Sequence, residues 1–88
     1  MTHTPDQLTA IAVTVRYFAA ARAAAGAESE TVTVRPEATV ADLVTNLAGR
    51  DARLATVLKR CSYLCDGIAV RDHATALHPG DTIDVLPP

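Results

Sequence analysis

Residues 11–18, Ile-Ala-Val-Thr-Val-Arg-Tyr-Phe, alternate with a period of two. Ile11, Val13, Val15 and Tyr17 fall on one side of an extended chain, and Thr14, Arg16 and Phe18 on the other. That is the pattern of a β-strand with one buried face. Downstream, residues 19–27 are alanine-rich, which favours helix, and Gly26 supplies a stop. A second strand is expected at Thr31–Arg35, with Val32 and Val34 facing inward and Pro36 ending it.

Further out, the period changes. Thr39-Val40-Ala41-Asp42 has the form of a capping box with Asp in place of Glu or Gln. Val40, Leu43, Val44 and Leu47 then share one helical face, and Gly49 closes the helix. Asp51 is placed to cap a second, short helix whose apolar positions are Leu54, Val57 and Leu58. Lys59 and Arg60 lie at its end, where the helix dipole favours cations. Ser62–Cys65 and Ile68–Arg71 flank Asp66-Gly67, a strong hairpin signal. After a loop ending in His78-Pro79-Gly80-Asp81 comes a last strand, Thr82–Leu86, with Ile83 and Val85 inward and Thr82, Asp84 and Leu86 outward. The order predicts an α+β fold, one mixed sheet of about four to five strands with the helices packed on one face. Residues 10–88 form a single domain, and residues 1–9 read as a flexible polar arm.

The bulk properties narrow the function. A chain of 88 residues buries only roughly 60–65% of its unfolded surface, leaving little room for a deep cavity. A carrier, adaptor or subunit fits that size better than a self-sufficient enzyme. The composition, 49% hydrophobic and 20% charged, is globular. With a formal charge of −2, no basic block and only Tyr17, Phe18 and Tyr63 as aromatics, nucleic acid is set aside as a partner. No apolar run approaches the ~20 residues of a membrane helix, and the first ten residues lack the features of a secretory signal. Two cysteines without a framework fit a reducing compartment, so a cytoplasmic location is expected.

The alternation also leaves apolar residues on the outward face. Phe18 lies there at the end of the first strand, and Leu86 at the end of the last. If those strands run side by side and parallel, the two share one end of one face. The Asp66-Gly67 turn pairs Cys65 with Ile68 and so puts Leu64 and Ala69 together. With Ile68 and Val70 in the core, Leu64 and Ala69 join Phe18 and Leu86 outside. An exposed apolar patch on a small domain marks a partner surface; singly exposed apolar residues are, equally, ordinary.

Other chemistry is weaker. Cys61, Cys65, His73 and His78 have the spacing C-x3-C-x7-H-x4-H, too short between Cys and His for a usual zinc finger. If residues 61–65 are extended, the two cysteines lie ~13 Å apart, which also disfavours a disulfide. A cysteine nucleophile with His73 as base has nothing to orient it, and a four-cysteine cluster is excluded by count. No Gly-rich phosphate loop is present. Asp81 and Asp84 read as solvated carboxylates, no metal ligands are assigned, and catalysis by this chain alone is not expected.

Three segments together resemble the small subunits of molybdopterin synthase, ubiquitin-like sulfur carriers of the MoaD/ThiS type. Val13-Thr14-Val15-Arg16-Tyr17-Phe18-Ala19, with Arg22 and Gly26, is similar to their opening. Thr39-Val40-Ala41-Asp42-Leu43 and Leu47 are similar to their first long helix, and Leu77 with residues 79–88 to their final loop, strand and Pro-Pro pair. The resemblance spans about residues 11–88 and implies the β-grasp fold. It further implies a C-terminal Gly-Gly whose carboxylate an ATP-dependent, E1-like enzyme adenylates and a sulfurtransferase's sulfur converts to a thiocarboxylate. The carrier then donates that sulfur to a pterin precursor from within a heterotetramer with the large synthase subunit. It binds no cofactor itself; ATP belongs to the activating partner. By the same resemblance Phe18, Ala69 and Leu86 face the partner, joined on pattern by Leu64, and by Pro87 and Pro88 at the tail exit. Arg22 matches an arginine that helps dock the activating enzyme. The Gly-Gly pair is expected after Pro88 and is not among the 88 residues. Carriers of thiamine or amino-acid sulfur pathways, and a tailless ubiquitin-like binding module, are the alternatives.

Overall fold

The computed structural model describes residues 10–88; the arm expected over residues 1–9 lies outside the described residues. Five strands and three helices follow in the order β1 (Ile11–Tyr17), α1 (Ala19–Ala25), β2 (Ser29–Val34), α2 (Val40–Ala48), α3 (Ala52–Leu58), β3 (Ser62–Cys65), β4 (Ile68–Ala69) and β5 (Thr82–Leu86). They build one mixed sheet in the order β2-β1-β5-β3-β4. β5 enters the middle, parallel to β1 and antiparallel to β3. This is the ubiquitin-like β-grasp expected from the sequence.

One sheet face is the core. Val13, Val15 and Tyr17 of β1, Tyr63 of β3, and Ile83 and Val85 of β5 are buried, in one cluster with Ala21, Val40, Leu43, Leu47, Leu54 and Leu58 from the helices. Burying these aliphatic side chains is the main stabilising term for a domain this small. The helix signals hold in detail. Thr39 Oγ1 accepts from the Asp42 N–H, and Asp42 Oδ2 from the Thr39 N–H, a complete capping box. The Asp51 side chain accepts from the Arg53 N–H at the start of α3. Carbonyls of Thr75 and His73 take the next α2 donors, Val40 and Ala41, which ties the long loop after β4 to the helix.

Some boundaries differ from expectation. β2 begins at Ser29 rather than Thr31 and ends at Val34, one residue before Arg35. β4 is only Ile68–Ala69 instead of running to Arg71. The Val70 N–H still reaches the Tyr63 carbonyl at 2.9 Å, after which the chain leaves the sheet. The hairpin turn is as read: Asp66 and Gly67 both have positive φ, 50° and 84°, the backbone of a type I′ turn. Ile68 is a correction. It shares the core-facing side with Cys65 and Ile83, yet it is 73% exposed. It sits on a two-residue strand at the edge of the sheet.

Candidate partner-binding face

The outward face of the sheet is set by its register. One row crosses all five strands: Ser29 beside Arg16, Arg16 beside Asp84, Asp84 beside Leu64, and Leu64 beside Ala69. Two residues further on, Leu86 of β5 pairs with Ser62 of β3. Phe18 follows β1 in extended conformation, and its N–H reaches the Val85 carbonyl at 3.2 Å. Since β1 and β5 are parallel, Phe18 therefore lies beside Leu86. Phe18 and Ala69 are exposed, and Leu64, Leu86 and Pro87 half-buried. Pro88, exposed, continues from the same end.

The middle of this face is a charge pair. Arg16 Nε and Nη2 donate to the two oxygens of Asp84 at 2.6 and 2.8 Å. The Arg16 guanidinium carbon is also 5.6 Å from the centroid of the Phe18 ring, within cation–π range. Asp84 is 6% exposed, so the expected solvated carboxylate is a correction. It stands on the central strand, walled by Arg16 and Leu64. The bond to Asp84 also holds the guanidinium firmly protonated. The patch is thus apolar at its rim and polar at its centre. The sequence did hold the signal: the register that sets Phe18 beside Leu86 sets Arg16 beside Asp84, two residues earlier on each strand.

Arg22 is set apart, on α1. Its Nη2 is 3.0 Å from Glu28 Oε2, and both side chains are largely exposed. A shallow depression lined by Arg16, Phe18, Arg22 and Glu28 joins it to the edge of the face. The φ of 51° at Ala19 makes the turn from Phe18 into α1, which lets Phe18 stay outward while α1 folds back over the core.

The cysteine and histidine residues have other neighbours. Cys61 Sγ donates to the Val57 carbonyl at 3.3 Å, and the His73 ring meets Tyr63 edge-on at 5.4 Å. Both cysteines are free. Cys65, Asp66 and Asp81 bring one donor atom each within 4.8 Å of one another. Both carboxylates already hold backbone: Asp66 Oδ1 accepts from Thr82 and Asp81 Oδ2 from His78. Asp81 is half-buried rather than solvated, because that bond draws it into the turn. Burial, with the charges of Asp81 and Asp66 beside it, pushes the Cys65 thiol up to about 11. A thiol held protonated is a poor nucleophile.

The model of the ThiS family matches residues 15–88. The chain belongs to the ThiS family. It is thereby one of the ubiquitin-like sulfur carrier proteins of the ThiS/MoaD type. Among solved structures, this ThiS-family chain is similar to the HVO 2177 protein of Haloferax volcanii, with 29% identity, TM-score 0.83, and 91% of this chain and 85% of that one covered. A putative molybdopterin converting factor subunit 1 from Pyrococcus furiosus is 26% identical, with TM-score 0.81 over 89% and 98% of the two chains. SAMP1 from Haloferax volcanii is 26% identical, with TM-score 0.77 over 88% and 94%. No curated protein matches the sequence. Among the described residues, no helix is long and apolar enough to cross a membrane.

Proposed function

We propose that this protein is a sulfur carrier acting as the small subunit of molybdopterin synthase. The observation that carries the reading is the outward face of a ThiS-family domain, where Phe18 and Leu86 lie together at the end from which Pro87-Pro88 lead. Likeness to the molybdopterin converting factor subunit 1 of Pyrococcus furiosus supports the molybdopterin branch.

In this reading the face docks on the large synthase subunit within a heterotetramer, in the cytoplasm. The sulfur-bearing group is a C-terminal glycine carboxylate beyond Pro88. A carboxylate oxygen attacks ATP on an E1-like enzyme and pyrophosphate leaves. A sulfurtransferase persulfide then displaces AMP to form an acyl disulfide, and a second thiol cleaves it, taking the sulfurtransferase cysteine into a disulfide and releasing the thiocarboxylate. Glycine, without a side chain, threads a narrow channel, and the prolines stiffen the exit. The acid–base groups belong to the partners; this chain supplies the docking face and the tail.

Deleting the gene in its own organism tests the pathway. The expected result is loss of molybdenum-cofactor-dependent activity with the pterin precursor accumulating. A requirement for thiamine or a sulfur amino acid would instead place the carrier in another route. Likeness to SAMP1, a small archaeal modifier protein, supports a second reading as a ubiquitin-like protein modifier, for which neither defect is expected.

A further inference from the structure

The charge pair on the outward face is unevenly buried. Asp84 is sunk in the sheet, whereas the Arg16 side chain keeps 51% of its exposure. The Nε–Nη2 edge of the guanidinium is closed on the Asp84 carboxylate. A guanidinium has donors on a second edge, between Nη1 and Nη2, and among the described residues nothing accepts from that edge of Arg16. The Phe18 ring stands against the same guanidinium, so a surface that covers Phe18 covers the open edge too.

A partner burying that edge without an acceptor would strip water from charged N–H groups and leave them unpaired, which selects against it. A wholly apolar counter-surface therefore does not fit. The pair also has a direction. Its negative end lies in the sheet and its positive end faces out, so charge complementarity calls for an anion over Phe18. A planar carboxylate matches the open edge as a fork, as Asp84 matches the closed one.

We propose that Arg16 is a specificity-determining contact: the large-subunit surface that covers Phe18 and Leu86 presents an Asp or Glu carboxylate to its Nη1–Nη2 edge. This rests on the partner reading above and names the chemistry of that partner. Asp84 is a positioning residue. It fixes the plane of the guanidinium and does not itself meet the partner.

The test is titration calorimetry of the whole protein against the large synthase subunit of the same organism, at low and at high salt. The decisive variant combines Arg16→Leu with Asp84→Ala, so that neither charge is left buried alone. Thermal unfolding checks its fold. The wild type is expected to lose affinity as salt rises. The double variant is expected to bind at least about tenfold more weakly at low salt, with that salt response gone. Arg16→Lys, which keeps the charge and loses the fork, falls between them and keeps the salt response. A double variant that binds as tightly as the wild type, with the same salt response, overturns the proposal. Should the double variant not fold, Arg16→Lys decides: unchanged affinity overturns the proposal, and weakened affinity with the salt response kept supports it. A wild type that does not bind the large subunit at all overturns the partner reading itself, and this proposal with it.

Discussion

Tyr17, at the end of β1, donates its hydroxyl to Glu30 of β2 at 2.7 Å. Arg50 donates to the other Glu30 oxygen at 2.6 Å, which joins the sheet edge to the connection between α2 and α3. Burial alone would raise the Glu30 pKa, but the bonds from Arg50 and Tyr17 outweigh it and hold the carboxyl below its ordinary range. A folded-state pKa below the unfolded one means stability that is present above the unfolded value of 4.5 and lost as pH falls through the folded value. Tyr17→Phe should cost about 1–2 kcal/mol near neutral pH. Glu30→Gln should flatten the loss of stability as pH falls below about 4.5. Urea midpoints across that range check both; an unchanged acid slope in Glu30→Gln would exclude this carboxylate as a source of acid sensitivity.

Cys65 should be slow to alkylate. With its thiol pushed up to about 11 from an ordinary 9.0, its thiolate fraction at about pH 8 is lower by roughly a hundredfold than that of a free cysteine. Iodoacetamide labelling followed by mass spectrometry should show this. Asp81→Asn removes a negative charge beside the sulfur, and labelling of Cys65 should then speed up.

Ala19 carries a side chain at φ 51°, where left-handed backbone is unfavourable for L-residues. Ala19→Gly should raise stability by up to about 1 kcal/mol, the relief exceeding the added entropy of glycine in the unfolded chain. Chemical denaturation gives the sign, and a lower midpoint would show that the turn is not strained.

Phe18→Asp should leave the fold intact, because the ring is 39% exposed and outside the core cluster. Binding to the large synthase subunit should weaken by at least about tenfold, since a charge would enter a desolvated contact. Calorimetry with a variant of verified fold reads this directly; unchanged affinity removes Phe18 from the interface.

Much of this fold is legible from periods of two and of about 3.6. Val13, Val15 and Tyr17 are buried where alternation puts them, and Val40, Leu43 and Leu47 fill one helical face. Those patterns are local, and so are the Thr39–Asp42 cap and the Asp66-Gly67 turn. Asp84 shows the complementary limit. Its sequence neighbours suggest a solvated strand edge, but its burial comes from Arg16 and Leu64, 68 and 20 positions away in the chain. Ile68 shows the same limit in reverse. Its side of the sheet followed from the turn, while its exposure depends on how far the helices reach. The outward face stands between these cases: its rim of Phe18, Leu64, Ala69 and Leu86 follows from alternation, and its charged centre needs the strand register.

The proposed sulfur carriage requires a C-terminus that can be thiocarboxylated. The intact mass of the protein purified from its own cells, before and after incubation with ATP, its activating enzyme and a sulfur source, tests it most directly. The expected mass includes a Gly-Gly-ending tail beyond Pro88 and rises by one oxygen-to-sulfur exchange. A native terminus at Pro88 with no sulfur gained would contradict it.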